Sequence, residues 1–109
     1  MIQSISRSII TAAVLLLAVS PLTAFAADGA SLYSTKTCSA CHGKDAKTPL
    51  MPNYPKLAGQ SAAYTLQQMK DIKTGARNNG QTASMKGVMH LVTDEEMQAL
   101  ADYLATLAP

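Results

Sequence analysis

The sequence contains few aromatic side chains. Its 109 residues include no tryptophan, four tyrosines and a single phenylalanine, Phe25, which lies in a segment that we expect to be removed from the mature protein. A domain of about 80 residues is near the size at which a hydrophobic core alone becomes marginal. The shortage of aromatic rings therefore indicates that something large, flat and apolar completes the interior.

The sequence also lacks a strong excess of charge of either sign. Nine Lys and Arg residues stand against seven Asp and Glu residues, which gives a formal net charge of +2 at pH 7. Domains that bind nucleic acids usually carry a marked basic patch or stripe. We therefore expect no nucleic-acid partner.

No apolar run is long enough to cross a bilayer comfortably. The longest, at residues 9–19, is interrupted by Thr11 and is shorter than the about 20 residues that a membrane-spanning helix needs. Arg7 precedes this run and Ala24-Phe25-Ala26 follows it, as in a secretory signal peptide. We predict a signal peptide at residues 1–26, cleaved after Ala26, and a single domain at residues 27–109 with no stable membrane insertion. An uncleaved membrane anchor is the alternative.

Glycine and proline are concentrated in two stretches that separate three segments with helical patterns. Residues 43–60 and 75–92 are predicted to be long loops, and long ordered loops in a small domain are usually functional. Helices are predicted at residues 28–37, 61–74 and 93–108, the last of which begins with a capping box formed by Thr93 and Glu96. The predicted fold class is all-α, with three main helices and two long loops wrapped around one cofactor.

Two of the predicted helices carry apolar stripes at helical spacing. In residues 61–74 the stripe consists of Ala62, Leu66, Met69 and Ile72. In residues 93–108 it consists of Met97, Leu100, Ala101, Leu104, Leu107 and Ala108. These faces are expected to form the core.

Cysteine is scarce, and the two cysteines of the chain lie three positions apart. They belong to the segment Cys-Ser-Ala-Cys-His at residues 38–42, which is the pattern for covalent attachment of a c-type haem. Two intervening residues let each thiol reach one vinyl group of the porphyrin and form a thioether. The adjacent His42 would lie against the ring, where a neutral imidazole nitrogen can bind the iron. The segment predicts one haem c, held by Cys38, Cys41 and His42.

Three other interpretations of this segment remain open. A structural zinc site normally needs four ligands, for which His90 and a carboxylate would have to join the segment. A Cys-x-x-Cys thiol oxidoreductase uses the same spacing of thiols, although such proteins usually contain strands and the sequence indicates none. The two cysteines could also form a plain disulfide.

The haem iron of an electron carrier needs a second axial ligand, and a methionine thioether would raise its reduction potential. Met69 and Met97 belong to the apolar stripes, and Met51 is too close to His42 in the sequence to reach the opposite ring face easily. The candidates that spacing leaves open are Met85, Met89 and His90.

Several segments resemble the short bacterial class I cytochromes c, in particular one domain of the periplasmic dihaem cytochrome c-four type. The resemblance covers residues 38–43, the run Pro-Asn-Tyr-Pro-Lys-Leu-Ala-Gly-Gln at residues 52–60, and residues 64–77 and 91–104. The Pro-Lys-Leu-Ala-Gly-Gln part is the more specific, because the haem motif occurs in many folds. Proteins of the c-four type carry two such domains, whereas this sequence contains one haem motif.

The resemblance implies a class I cytochrome c fold and roles for several residues. It places the distal iron ligand shortly before the last helix, where Met85 matches and Met89 becomes the alternative. It implies that Tyr64 and Arg77 contact the haem propionates. It also implies that Pro49 or Pro52 lies beside the histidine of the motif, and that a loop carbonyl binds the second ring nitrogen of this histidine. In the first helix, Ser31 stands where the family often has a glycine that lets the first and last helices cross closely.

The function implied is that of a periplasmic electron carrier, not an enzyme, because both axial positions of the iron would be filled by the protein. A dedicated cytochrome subunit of a periplasmic oxidoreductase complex is an alternative, and the thiol oxidoreductase is a less favoured one. The partners would be redox proteins that donate and accept the electron. An acidic partner could dock on lysines near the haem-binding segments, although scattered solvated lysines would give the same pattern: Lys36, Lys44, Lys47, Lys56 and Lys86.

Overall fold

This computed structural model describes residues 13–18 and 27–109, and five helices lie within these ranges. They are α1 (Gly29–Thr35), α2 (Cys38–His42), α3 (Ala62–Thr74), α4 (Thr82–Met89) and α5 (Asp94–Thr106). No strand occurs in the two described ranges. The prediction of an all-α fold is confirmed.

The predicted signal peptide falls largely outside the described residues. Residues 1–12 and 19–26, which include the predicted cleavage site after Ala26, belong to the part that is not described. Residues 13–18 form no helix, and the side chains of Val14 and Leu16 are exposed. Within residues 13–18 and 27–109, no helix is both long and apolar enough to cross a membrane.

Local capping signals set the ends of the helices that the sequence predicts. The Asp28 carboxylate accepts the Ala30 N–H at the start of α1, and Ser61 Oγ accepts the Tyr64 N–H at the start of α3. Gly75 ends α3 in the left-handed conformation. At the start of α5, Thr93 and Glu96 form both hydrogen bonds of the predicted capping box.

The prediction that residues 75–92 are irregular is wrong in its second half, where α4 lies. Its N-cap residue Gln81 makes no side-chain capping bond, and Gly87 lowers the helix propensity of its interior. Packing stabilises it instead, because Met89 is fully buried in the core and Val92 is nearly so. Tertiary contact therefore overrides a weak local signal.

The core lies where α5 packs against α1 and α3, with α4 packed on α3. The predicted stripe of α5 is buried over most of its length: Met97, Leu100, Ala101 and Leu104. At the end of the stripe, Leu107 is half-buried and Ala108 is exposed. From α3 the core receives Met69 and Ile72, while Ala62 and Leu66 are partly buried against it.

The close crossing of the first and last helices depends on Gly29, not on position 31, where Ser31 is exposed. Gly29 is buried, and a Cβ atom added there would lie 2.5 Å from Tyr103 Cβ and closer still to the Ala99 carbonyl oxygen. A glycine two positions earlier than expected therefore makes the crossing possible.

A Gly29→Ala substitution is expected to lower the free energy of unfolding by about 1–3 kcal/mol, because the methyl group would force α1 and α5 apart. The matched control is Gly87→Ala in α4, where an added Cβ meets nothing within 4 Å. That change should be neutral, or stabilising by up to about 1 kcal/mol. Denaturant unfolding of the two variants checks this, and equal stabilities would contradict the crossing described above.

Candidate functional site

The segment that carries both cysteines forms the short helix α2, which lies between two residues with positive φ angles. Thr37 precedes it with φ of 67°, and Gly43 follows it with φ of 86°. A side chain at position 43 would collide with the Thr48 carbonyl group. The Cys38 side chain is buried and the Cys41 side chain is exposed. These backbone conformations end α2 on both sides, so that it forms a short helix separate from α1 and from the loop that follows.

The imidazole of His42 is held by the loop that follows α2. Its Nδ1 lies 2.9 Å from the Pro55 carbonyl oxygen. Because a carbonyl can only accept, Nδ1 carries the proton and Nε2 is left with a lone pair for a metal. The predicted loop carbonyl is therefore present, and it belongs to Pro55.

The loop at residues 43–60 is folded by its own polar groups. The Asp45 carboxylate accepts the N–H groups of Lys47 and Thr48, which lower the pKa of this carboxyl group. The carbonyl of the buried Ala46 accepts the N–H groups of Leu57 and of the next residue. These bonds bring the two halves of the loop together, and Pro55 lies two residues before Leu57.

Tyr33 of α1 supports the far end of the cysteine-containing helix. It is almost fully buried, its ring packs against Tyr103 with centroids 6.0 Å apart, and its hydroxyl donates to the Gly43 carbonyl at 2.6 Å. Burial raises the pKa of Tyr33 from 10.0 to about 12. The residue directly after His42 is therefore fixed to α1.

The raised pKa of Tyr33 predicts a loss of stability at high pH. The folded state keeps the phenol proton up to about pH 12, whereas the unfolded chain loses it near pH 10.0. The contribution of Tyr33 is thus complete below pH 10.0 and is lost as the pH rises towards about 12. In Tyr33→Phe this decline should be shallower than in the wild type, and in Tyr64→Phe, which alters an exposed tyrosine, it should be unchanged. Urea unfolding across this pH range measures it.

A cavity of about 800 Å³ lies between α2, α3 and α4. This volume is within the range of about 300–1,000 Å³ that small-molecule and cofactor sites occupy. The residues predicted for the site all line it: Cys38, Cys41, His42, Tyr64, Arg77, Met85 and Met89. The structure therefore brings together residues that are up to 51 positions apart in the sequence, from Cys38 to Met89.

The two candidate methionines of α4 differ in their surroundings. Met89 is fully buried and is part of the hydrophobic core. Met85 lies one turn earlier and is only partly buried. His90 is exposed and does not line the cavity, and neither does Met51. Of the two methionines of α4, Met85 is thus the one less needed for packing of the core.

Arg77 and Tyr64 lie at the exposed edge of the cavity. Tyr64 is 53% exposed. Arg77 is also exposed, and its Nη1 donates to Gln68 Oε1 at 2.9 Å. The sequence did not reveal the roles of Gln68, Pro55 and Tyr33 in this site. Tyr33 donates to a backbone carbonyl, Pro55 acts through its own backbone carbonyl, and Gln68 binds a side chain nine residues away. None of these contacts leaves a pattern of residue types.

The donor set fits the haem that the sequence predicts. Two thiols and an imidazole with a free Nε2 lie on one wall of the cavity, and a thioether lies on α4. By contrast, burial raises the pKa of the Cys38 thiol. Reactive cysteines of thiol oxidoreductases have a lowered pKa, so Cys38 is poorly suited to that chemistry.

Comparisons with known proteins agree with this geometry. A protein-family model described as Cytochrome c matches residues 26–108. The sequence is 44% identical over 69 residues to cytochrome c4 of Pseudomonas aeruginosa, in an alignment covering 63% of this chain and 32% of that protein. It is 37% identical over 84 residues to cytochrome c-553 of Nitratidesulfovibrio vulgaris, covering 77% of this chain and 80% of that protein. The chain thus spans about a third of the first relative and about four fifths of the second.

A solved structure shares the fold. The crystal structure of reduced recombinant cytochrome c4 from Pseudomonas stutzeri superposes with a TM-score of 0.64 at 32% sequence identity. The superposition covers 73% of this chain and 46% of that chain. The helices around the cavity therefore have the arrangement found in one part of that protein.

Proposed function

Because the chain belongs to the cytochrome c family, we propose that it is a periplasmic carrier of single electrons whose haem iron is six-coordinate, bound by His42 and Met85. Membership in this family makes it an electron-transfer protein with one covalently attached haem c. Its fold is the class I cytochrome c fold that the sequence predicts. Cys38 and Cys41 are the only cysteines in the chain and provide the two thioethers.

The observation that carries the proposal is the placement of His42 and Met85 around one cavity. When bound, the haem supplies an iron that changes between the ferric and ferrous states. The Pro55 carbonyl keeps the His42 ring in one tautomer with Nε2 available, and this contact would hold the ring orientation in both oxidation states. The Met85 thioether would favour ferrous iron and so would raise the reduction potential.

A six-coordinate iron leaves no open position for a substrate, which supports electron transfer between proteins and not catalysis. The chain's own residues then have three tasks: to keep the ring dry, to hold both ligands, and to leave one edge accessible. Apolar side chains of the core keep water away from the ring: Met69, Ile72, Leu100 and Leu104 line the cavity and are buried.

A haem-attachment experiment tests the proposal against the thiol oxidoreductase. Protein made with cytochrome maturation machinery should keep its haem through denaturation, and neither cysteine should react with an alkylating agent. Two alkylated thiols in a denatured protein without haem would overturn the proposal.

N-terminal sequencing of the same protein tests the predicted signal peptide at residues 1–26, because cleavage after Ala26 would leave Ala27 as the first residue.

The lysines near the site divide into two groups. The Lys36 ammonium donates to the Leu91 carbonyl at 2.9 Å and lies 3.5 Å from a Glu96 carboxylate oxygen. It is therefore engaged within the fold. The lysines that remain for an acidic redox partner are Lys44, Lys47, Lys56 and Lys86, of which Lys56 lines the cavity.

If an acidic partner docks there, its electron-transfer rate with this protein should fall as the ionic strength rises, because salt screens exposed charges. A Lys56→Gln substitution should lower the rate at low salt and weaken the salt dependence. Lys70→Gln on α3, which alters an exposed lysine that does not line the cavity, is the control. Stopped-flow kinetics with the physiological partner measure both effects, and a rate independent of salt would exclude charged docking.

A further inference from the structure

The Arg77 guanidinium is a cation at the edge of the cavity with no carboxylate to neutralise it. Within the described part of the chain, Arg77 forms no salt bridge with an aspartate or glutamate. The acidic residue closest to it in the sequence, Asp71, has a carboxylate oxygen that accepts from Gln67 Nε2 at 2.8 Å. A guanidinium carries five N–H donors, and the contact with Gln68 uses one of them. Most of its hydrogen-bonding capacity is therefore free for an anion.

Two contacts hold Arg77 against α3. Its backbone N–H donates to the Asp71 carbonyl at 3.0 Å, and its Nη1 donates to Gln68 Oε1 at 2.9 Å. Gln68 is half-buried and lines the cavity, on the same face of α3 as the buried Met69 and Ile72. A long arginine side chain has considerable rotamer entropy, and an acceptor at a defined place reduces the number of positions it samples.

A haem presents two carboxylates on an otherwise apolar ring, and these are the anions that Arg77 would meet in the cavity. The other charged side chain that lines the cavity is that of Lys56. Outside α2, the other titratable side chains of the lining are those of Tyr33, Tyr54 and Tyr64. In the described part of the chain, none of these side chains forms a hydrogen bond with Gln68 or Arg77. The position of the guanidinium thus depends on Gln68.

We propose that Gln68 is a positioning residue: by accepting a hydrogen bond from Arg77 it keeps the guanidinium beside a haem propionate and keeps that carboxylate ionised. This rests on the propionate contact of Arg77 in the proposed haem carrier. A nearby cation and a hydrogen bond to the charged form both favour ionisation. The propionate should also bind a proton more weakly in the ferric protein, so its ionisation makes the reduction potential depend on pH.

The test is the pH at which the reduction potential begins to change, measured by redox titration of the haem-loaded protein. Gln68→Leu should move this pH upward by about half a unit, and Arg77→Leu by about one unit or more. Gln68→Glu, which places a carboxylate against the guanidinium, should move it further than Gln68→Leu does. Gln98→Leu and Gln98→Glu on α5 are the matched controls, since Gln98 is exposed and does not line the cavity, and both should leave the profile unchanged.

A double variant shows whether Gln68 acts through Arg77. In an Arg77→Leu background, Gln68→Leu should cause no further shift. An equal shift in both backgrounds, or none in either, would overturn the inference. Absence of a shift in Arg77→Leu would show that the propionate contact itself is wrong, whereas absence of covalent haem in the wild type would refute the proposed function. Circular dichroism would reveal a leucine variant that fails to fold. In that case the comparison is made between Gln68→Glu and Gln98→Glu.

Discussion

Replacing Met85 with leucine is expected to abolish the long-wavelength sulfur-to-iron absorption band of the ferric protein and to lower its reduction potential. The potential should fall by a substantial part of the about 0.8 V range that axial ligands cover, because the thioether stabilises ferrous iron. Leucine keeps the volume and the apolar character of the side chain but cannot bind iron. The absorption spectrum and the potential of the purified variant measure both effects.

The same substitution at Met89 is the matched control. Met89 lies on the same helix and is fully buried in the core, so Met89→Leu should keep the band and the potential. Its cost in stability should be less than about 1.5 kcal/mol, because a leucine fills a similar volume. Loss of the band in Met89→Leu, with retention in Met85→Leu, would assign the iron to Met89 instead.

Removing the haem is expected to unfold the domain. A Cys38→Ala/Cys41→Ala variant produced without haem should show little helix by circular dichroism and no cooperative thermal transition. Without the haem, the cavity of about 800 Å³ would admit water among the buried core side chains that line it. A domain is usually stable by only about 5–15 kcal/mol, so the loss of these apolar contacts should unfold it.

Ser39→Ala provides the control for this variant, since it alters α2 between the two thiols without removing either. It should retain the haem, the helices and a cooperative transition. A haem-free double variant that unfolds cooperatively at the temperature of the loaded wild type would contradict the idea that the haem completes the core. The shortage of aromatic side chains would then no longer indicate that an apolar group completes the interior.

Local chemistry explains why much of the fold could be predicted from the sequence. The ends of α3 and α5 are set by Ser61, Gly75 and the pair Thr93 and Glu96, whose side chains or backbone act within four residues of the helix end. By contrast, α4 was missed because its stability comes from burial of Met89 in contact with distant residues. A signal of that kind is absent from any short window of sequence.

The site shows the same division. Cys38, Cys41 and His42 form a contiguous motif, because covalent attachment and iron binding require them at a fixed spacing. The acceptor for His42 is the backbone carbonyl of Pro55, which any residue could supply, so no residue type marks it. The role of Gly29 follows from the close crossing of α1 and α5 in the structure. The sequence does not predict it, because a glycine in a helix does not by itself indicate which other helix packs against it.

The central claim is that this protein carries one electron on a covalently attached haem bound by His42 and Met85. It is tested most directly by a redox titration followed by absorption spectroscopy, on protein produced with cytochrome maturation machinery. We predict a single one-electron transition, with low-spin, six-coordinate iron in both oxidation states and the sulfur-to-iron band in the ferric state. A two-electron transition without a haem spectrum, or five-coordinate iron in either state, would contradict it.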